Sequence, residues 1–226
     1  MVYQVIHTAL DFLFPPRCIA CREENFVICP ACIQKISSLG DECLFCARRG
    51  SALHLCEECR GKRPLDGIVW PWRYNNDTTK KIIAAYKYRK KRWIATALAT
   101  HLKQSIASLA LTERLIVIPV PLHPRKERER GFNQALLIAK SLGYPVRIDA
   151  VRRTKETSPQ AWTESRTERI DHMRGAFSVE KSESISGKTI LLVDDVTTTG
   201  ATLSELARTL KESGAAKIYA AVLAHG

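Results

Sequence analysis

From residue 63 onward, short apolar runs with the period of a strand alternate with three- and four-residue stripes of a helix. Asp66 to Tyr74 reads as a strand. Thr78 to about Ser108 reads as helix in two pieces, striped first by Ile82, Ile83 and Tyr86, then by Ile94, Ala97, Leu98, Leu102 and Ile106. The basic run between the stripes marks a break. Leu115 to Pro121 is a buried strand ended by proline. Asn133 to Leu142 predicts a helix that stops at Gly143, and Val146 to Ile148 a short strand. Residues 152–175 are polar with little periodicity, a length of chain that is usually functional inside a compact domain. Ala176 to Val179 resumes a strand. Ile190 to Val193 is continuously apolar, Ala201 to Glu212 has Leu203, Leu206, Ala207 and Leu210 on one helical face, and Lys217 to Leu223 is the last strand. Strands alternating with helices predict an α/β unit with a mostly parallel sheet.

The chemistry concentrates where the Ile190–Val193 run meets Asp194 and Asp195 and then Thr197, Thr198, Thr199, Gly200, Ala201 and Thr202. A buried strand that ends on paired carboxylates, a hydroxyl- and glycine-rich turn and a helix N-terminus suits a sugar phosphate. The acids accept hydrogen bonds from vicinal hydroxyls, a divalent cation nearby, and the turn offers N–H groups to a 5′-phosphate. Capping alone would use one acid, not two.

The first sixty-two residues follow a different rule. All eight cysteines fall in four Cys-x-x-Cys pairs, Cys18/Cys21, Cys29/Cys32, Cys43/Cys46 and Cys56/Cys59. Residues 1–14 read as a short amphipathic helix without the basic lead or cleavage site of a signal peptide. No apolar run approaches the roughly 20 residues of a membrane span. A cytoplasmic setting keeps thiols reduced, so the pairs predict two structural zinc ions rather than disulfides. Sequential pairing suits the short gaps, and interleaved pairing stays open. His54 is a bystander, because four cysteines already fill a site.

Residues 1–62 are formally neutral, so the whole net charge of +12 lies in 63–226. It peaks at Lys87, Arg89, Lys90, Lys91 and Arg92 and again over residues 125–130. Such runs attract polyanions, pyrophosphate or nucleic acid. Tyr86, Tyr88 and Trp93 beside the first run would stack on bases unless they belong to the core.

Taken in order, the motifs Phe14-Pro15-Pro16-Arg17-Cys18, Lys87-Tyr88-Arg89, Pro119-Val120-Pro121-Leu122-His123-Pro124-Arg125, Arg130-Gly131-Phe132-Asn133-Gln134-Ala135, Arg174-Gly175-Ala176-Phe177 and the strand–acid–turn signature resemble the ComF competence-protein family. The signature itself resembles that of type I phosphoribosyltransferases, which use phosphoribosyl pyrophosphate (PRPP). The resemblance implies a double zinc ribbon over 1–62 and, over 63–226, a type I phosphoribosyltransferase fold, mostly parallel sheet flanked by helices. It implies that Asp194 and Asp195 hold ribose hydroxyls and that Thr197 to Thr202 hold the 5′-phosphate. Pro121, Leu122, His123, Arg125 and Lys126 would occupy the place of a pyrophosphate loop. Residues 152–175, with Gln160 and Arg169, would form a hood that closes over the site and excludes water.

Three readings follow. In one, the chain binds PRPP or a related ribose phosphate with Mg²⁺ and handles incoming single-stranded DNA in natural transformation. Helicase-like or pore proteins of the uptake machinery would be its partners, and Lys87, Arg89, Lys90, Lys91 and Arg92 its DNA contacts. In another it is an active transferase of nucleobase metabolism, with Glu164 or Glu168 as guesses for a base. In the third it senses PRPP without catalysis.

Overall fold

The computed structural model describes residues 15–36, 42–50, 53–88, 92–109, 111, 115–156 and 166–226. The expected N-terminal helix over 1–14 lies outside them. A parallel sheet carries the larger part of the chain, in the order β1 (Gly67–Val69), β7 (Lys217–His225), β6 (Thr189–Thr197), β3 (Leu115–Pro119), with β2 (Trp72–Arg73) also paired to β7. The expected strand over 66–74 is split, because Pro71 has no N–H to give the ladder. Its two halves keep one register on β7, Val69 opposite Ala221 and Trp72 opposite Ala224. The strand expected at Val146–Ile148 shrinks to a single bridge, Val146 with Val117.

Parallel sheets are covered on both faces, and β6 shows it residue by residue. Ile190 and Leu192 enter one apolar cluster with Trp70, Leu206 and Phe177, while Leu191 and Val193 enter another with Ile82, Tyr86 and Ile138. The second face is built by α3 (Asp77–Tyr88), α4 (Arg92–Ile106) and α6 (Gln134–Ser141), the first by α8 (Ala201–Glu212) and a hairpin of β4 (Val151–Arg153) and β5 (Phe177–Val179).

The cysteine module is two copies of one unit. Bridges Arg17–Glu24 and Glu42–Arg49 close equivalent turns, and Arg22 and Ala47, each following a knuckle's second cysteine, take φ of 75° and 57°. Helices α1 (Pro30–Ile36) and α2 (Glu57–Lys62) begin within the second knuckle of each copy. Neither copy stands apart from the sheet: Cys18, Cys29 and Cys32 join the cluster of α3 and α4, whereas Cys43, Leu44, Phe45 and Cys59 join the cluster of α8. Among the described residues no helix is long and apolar enough to cross a membrane.

Candidate functional site

Strand β3 stops at Pro119 opposite Val193, and β6 runs past it through Asp194 to Thr197, paired there with β7 on its other edge only. The acids therefore sit at the C-terminal mouth of the sheet, where parallel α/β folds place ligands. Alternation sends them to opposite faces. Asp195 turns toward α3, and Lys87 Nζ lies 3.2 Å from its Oδ2, with the two side chains only 24% and 12% exposed. Asp194 turns toward the β4–β5 hairpin and Arg153. Burial and then the neighbouring Asp195 charge push its carboxyl up to about 8, against the pull of Asp195's N–H, Lys87 and Arg153. Each acid also accepts the next residue's N–H, at 2.8 Å in both cases.

The turn after β6 brings Thr197 to Thr202 together in front of α8. Gly200 is the N-cap with φ of 74° and has no side chain to cap the helix, so beyond Ala201 the first N–H groups of α8 stand at the mouth with the positive end of the dipole. Ser204 N–H returns to Gly200 O at 2.8 Å, and Thr199 Oγ1 accepts from Ala201 N–H at 3.4 Å.

The residues expected to form the pyrophosphate loop fall in two elements. Pro121, Leu122 and His123 are loop, but Arg125 and Lys126 belong to a helix, α5 (Pro124–Arg130). Proline at N1 and the His123 side chain, which accepts from Arg125 N–H at 3.4 Å, start this helix; Gly131 with φ of 76° ends it. Arg125 is spent on Glu129 and Glu156, at 3.2 and 3.6 Å. Lys126 instead is half-buried, and that burial together with nearby Arg153 and Arg130 holds its ammonium below the usual lysine range against Glu156 and Glu129.

The Arg130-Gly131-Phe132-Asn133-Gln134 motif is the joint between α5 and α6. Asn133 caps α6 through Leu136 N–H at 3.3 Å and donates to Val120 O at 3.0 Å. Gln134 accepts Arg130 at 3.2 Å through its side chain and Tyr86 O–H at 2.6 Å through its carbonyl. Tyr86 is thus a core residue, not a base-stacking one. The Gln134 Nε2 group is buried without a hydrogen-bond partner among the described residues.

The hood region is anchored at its stem. Gly175, at φ of 68°, directs its N–H to Glu205 on α8 at 2.6 Å, and Arg208 closes on the same carboxylate at 2.7 Å. Arg153 lies over Phe177, 5.6 Å from the ring centroid. Sequence reading missed Arg153, Arg130 and Glu205. Gln160 and Glu164 lie outside the described residues, while Arg169 and Glu168 are on α7 (Arg166–Met173).

The cysteines pair sequentially: within Cys18/Cys21/Cys29/Cys32 and within Cys43/Cys46/Cys56/Cys59 every Sγ lies within 4.8 Å of the others. Closest approaches are 3.5 Å for Cys21–Cys29 and 3.6 Å for Cys46–Cys56. Tetrahedral zinc at about 2.3 Å from each sulfur separates sulfurs by about 3.8 Å, so both tetrads fit the metal. The Arg48 N–H holds the Cys46 thiol down to about 6, and burial pushes the Cys59 thiol up to about 12. Zinc displaces the protons that remain. His54 is no ligand; its ring stacks on Trp70 at 3.8 Å.

Of the expected DNA contacts, Lys87 turns its ammonium toward Asp195. Arg89, Lys90 and Lys91 lie outside the described residues, and Arg92 opens α4. Trp93 beside them is 42% exposed.

Comparison with known proteins gives a consistent picture. Residues 9–60 match the double zinc ribbon domain and residues 128–226 the phosphoribosyl transferase domain. The chain is 30% identical over 196 residues to competence protein ComFC of Bacillus subtilis, covering 84% of this chain and 80% of that one. It is 30% identical over 220 residues to competence protein F of Haemophilus influenzae, covering 89% and 93%. Against the DNA utilization protein YhgH of Shigella flexneri it is 29% identical over 225 residues, covering 90% and 94%.

Proposed function

Because the chain belongs to the ComF competence-protein family, we propose that the mouth of its sheet binds PRPP or another ribose 5-phosphate with Mg²⁺, and that the protein uses this site while handling incoming single-stranded DNA in the cytoplasm. Residues 1–62 would be the zinc module and 63–226 the sugar-phosphate unit. One observation carries the reading: a carboxylate pair on the part of β6 that outruns β3 stands directly before a helix whose N-cap is a glycine. Asp194 and Asp195 would hold ribose hydroxyls, and the Thr197–Thr202 turn the 5′-phosphate. Mg²⁺, when bound, would neutralise the diphosphate and bridge it to ribose oxygens.

The relatives' names, competence and DNA utilization, support the DNA role. So does an exposed Trp93 next to a basic stretch, an arrangement that stacks bases and tracks phosphates. Uptake proteins such as a helicase or a pore would then be the partners.

A second reading is favoured by Lys126, Arg130 and Arg153, three cations near one another, of which Arg153 also acts on Asp194. They would stabilise charge on a departing pyrophosphate, as a pentosyl transferase requires. A nitrogen acceptor would attack C1 of the ribose as that bond to pyrophosphate breaks. A PRPP sensor would use the same cup without an acceptor.

Thermal melts with PRPP and Mg²⁺ test the cup. Ligand at a hundred times its dissociation constant should add about 2.7 kcal/mol of stability. Asp194→Ala with Asp195→Ala should abolish the shift. An intact protein whose melting curve ignores PRPP would remove the proposal. Pyrophosphate release with nucleobases present separates transferase from sensor, and the salt slope of single-strand binding counts phosphate contacts.

A further inference from the structure

The two zinc ribbons repeat one another, yet they meet the sheet at different places. The tip of the first Cys-x-x-Cys turn, Ile19-Ala20, packs on the cluster of α3 and α4. The tip of the second, Leu44-Phe45, lies against the Thr-Gly turn in front of α8. A Cβ built on Gly200 would come within 2.7 Å of Leu44 Cδ2 and 3.4 Å of Phe45 Cε1. Leu44 is itself buried, in one cluster with Cys43, Cys59 and Ala201.

The same ribbon is fastened to the sheet edge beside that turn. Ile68 N–H donates to Leu53 O at 3.0 Å, and Arg73 Nη2 meets Glu42 at 2.9 Å. His54, whose carbonyl accepts Leu44 N–H at 3.0 Å, stacks on Trp70, and Trp70 stacks on His225 at 4.4 Å between centroids. His225 Nε2 then reaches Thr198 O at 3.0 Å. The carbonyl can only accept, so Nε2 carries the proton, and Nδ1 is left to accept from Arg73 Nη1 at 3.4 Å. In a trans peptide the C=O and the following N–H point in opposite directions. Holding Thr198 O on the His225 side therefore aims Thr199 N–H the other way.

We infer that the second zinc ribbon is a wall of the sugar-phosphate site: Leu44 and His225 fix the Thr198–Gly200 turn in its anion-binding shape, so zinc in the Cys43 tetrad, and not zinc in the Cys18 tetrad, sets the affinity for the 5′-phosphate. The inference rests on the sugar-phosphate reading above. Zinc acts here at a distance. It closes the Cys43–Cys46 turn into a rigid knuckle, and the knuckle presents Leu44 to Gly200. Leu44 and His225 are positioning residues; neither is placed to touch the ligand.

The test uses the intact chain, ribose 5-phosphate as probe, isothermal titration for affinity and mass spectrometry for zinc. Cys21→Ser and Cys46→Ser occupy matched positions in the two knuckles, and each should lower zinc from two per chain toward one. Cys46→Ser should weaken ribose 5-phosphate at least tenfold, while Cys21→Ser stays within twofold of the parent. Leu44→Ala should keep both zinc ions and still lose about tenfold. His225→Phe, which keeps the ring on Trp70 and removes the bond to Thr198 O, should lose several-fold; it also decides the matter if Leu44→Ala or Cys46→Ser fails to fold. Parental affinity in Leu44→Ala and His225→Phe, or equal losses in Cys21→Ser and Cys46→Ser, would overturn the inference while leaving the cup intact. A parent chain that binds no ribose 5-phosphate would instead overturn the sugar-phosphate reading, and this inference with it.

Discussion

Asp194→Asn should make the ligand-free protein more stable in mild alkali and leave it nearly unchanged in mild acid. The Asp194 carboxyl is raised from 3.8 to about 8, burial being the first cause and Asp195 the second. A raised acid keeps its proton in the folded chain while the unfolded chain has lost it. Stability therefore falls as pH climbs from about 4 to about 8, and the full penalty is in place above that. At 1.36 kcal/mol per unit, the advantage of a neutral isostere grows by at most about 4 kcal/mol between pH 5 and pH 8.5. The charges around Asp194 spread its change over pH, so about 2 kcal/mol is expected. That corresponds to about 4–8 °C in melting temperature for a chain of this size. Asparagine keeps the acceptor for Asp195 N–H, which Asp194 Oδ1 provides at 2.8 Å. The assay is a series of melts of both proteins from pH 5 to pH 8.5 without ligand and with zinc saturated; cysteine titration then cancels in the difference. A difference that stays flat with pH, or that shrinks as pH rises, would refute the claim that Asp194 is a protonated acid forced into a dry mouth. Asp194→Asn should also lose ribose 5-phosphate affinity above about pH 8, where the native carboxyl is a charged acceptor and asparagine is a neutral one.

Lys87→Met should cost about 1–2 kcal/mol in urea unfolding at pH 7, since it leaves Asp195 buried and uncompensated, and it should weaken DNA binding far less than changes at Arg89, Lys90 and Lys91. Unchanged stability would show that the pair is solvated. Gly200→Ala should cost about 2–3 kcal/mol and abolish the PRPP-induced shift, from the left-handed backbone and the approach to Leu44 together; a wild-type melt would rule that packing out. Glu205→Gln should cost about 1–2 kcal/mol and speed protease cleavage of residues 154–176, because Glu205 is held in its charged form by Arg208 and Gly175 N–H against the cost of burial. Its contribution is present at neutral pH and fades in acid, so the two proteins should converge as pH falls.

Much of the sheet was legible because strand and helix leave different apolar periods. The helix expected at Ala201–Glu212 has those bounds, and its expected apolar face is buried. Helix α5 escaped because Pro124–Arg130 has no buried residue and hence no stripe. Its caps were nevertheless in plain view: proline at N1, glycine after the last turn. The short strand at 146–148 was an overreading of two apolar residues. The chain there makes one hydrogen bond to each side of Val117 and turns away, leaving Ile148 60% exposed.

The acids announce themselves because they are contiguous with the strand that delivers them. An apolar run can stay apolar only while both faces and both edges are covered. Cover on one edge ends where β3 ends, at Pro119 opposite Val193, and the next residue is Asp194. The cations that answer these acids, Lys87 and Arg153, come from two separate elements, so no local pattern joins them. Yet two of the buried charges do carry a signal. Lys87 stands four residues after Ile83, and Glu205 four after Ala201, each on the inward stripe of its helix. A charge on an inward stripe must either break the helix face or meet a partner there. Lys87 meets Asp195, and Glu205 meets Gly175 and Arg208. Read that way, Lys87 belongs to the inward stripe of α3 rather than to the basic run that follows it in sequence, and Asp195 is the partner that stripe requires.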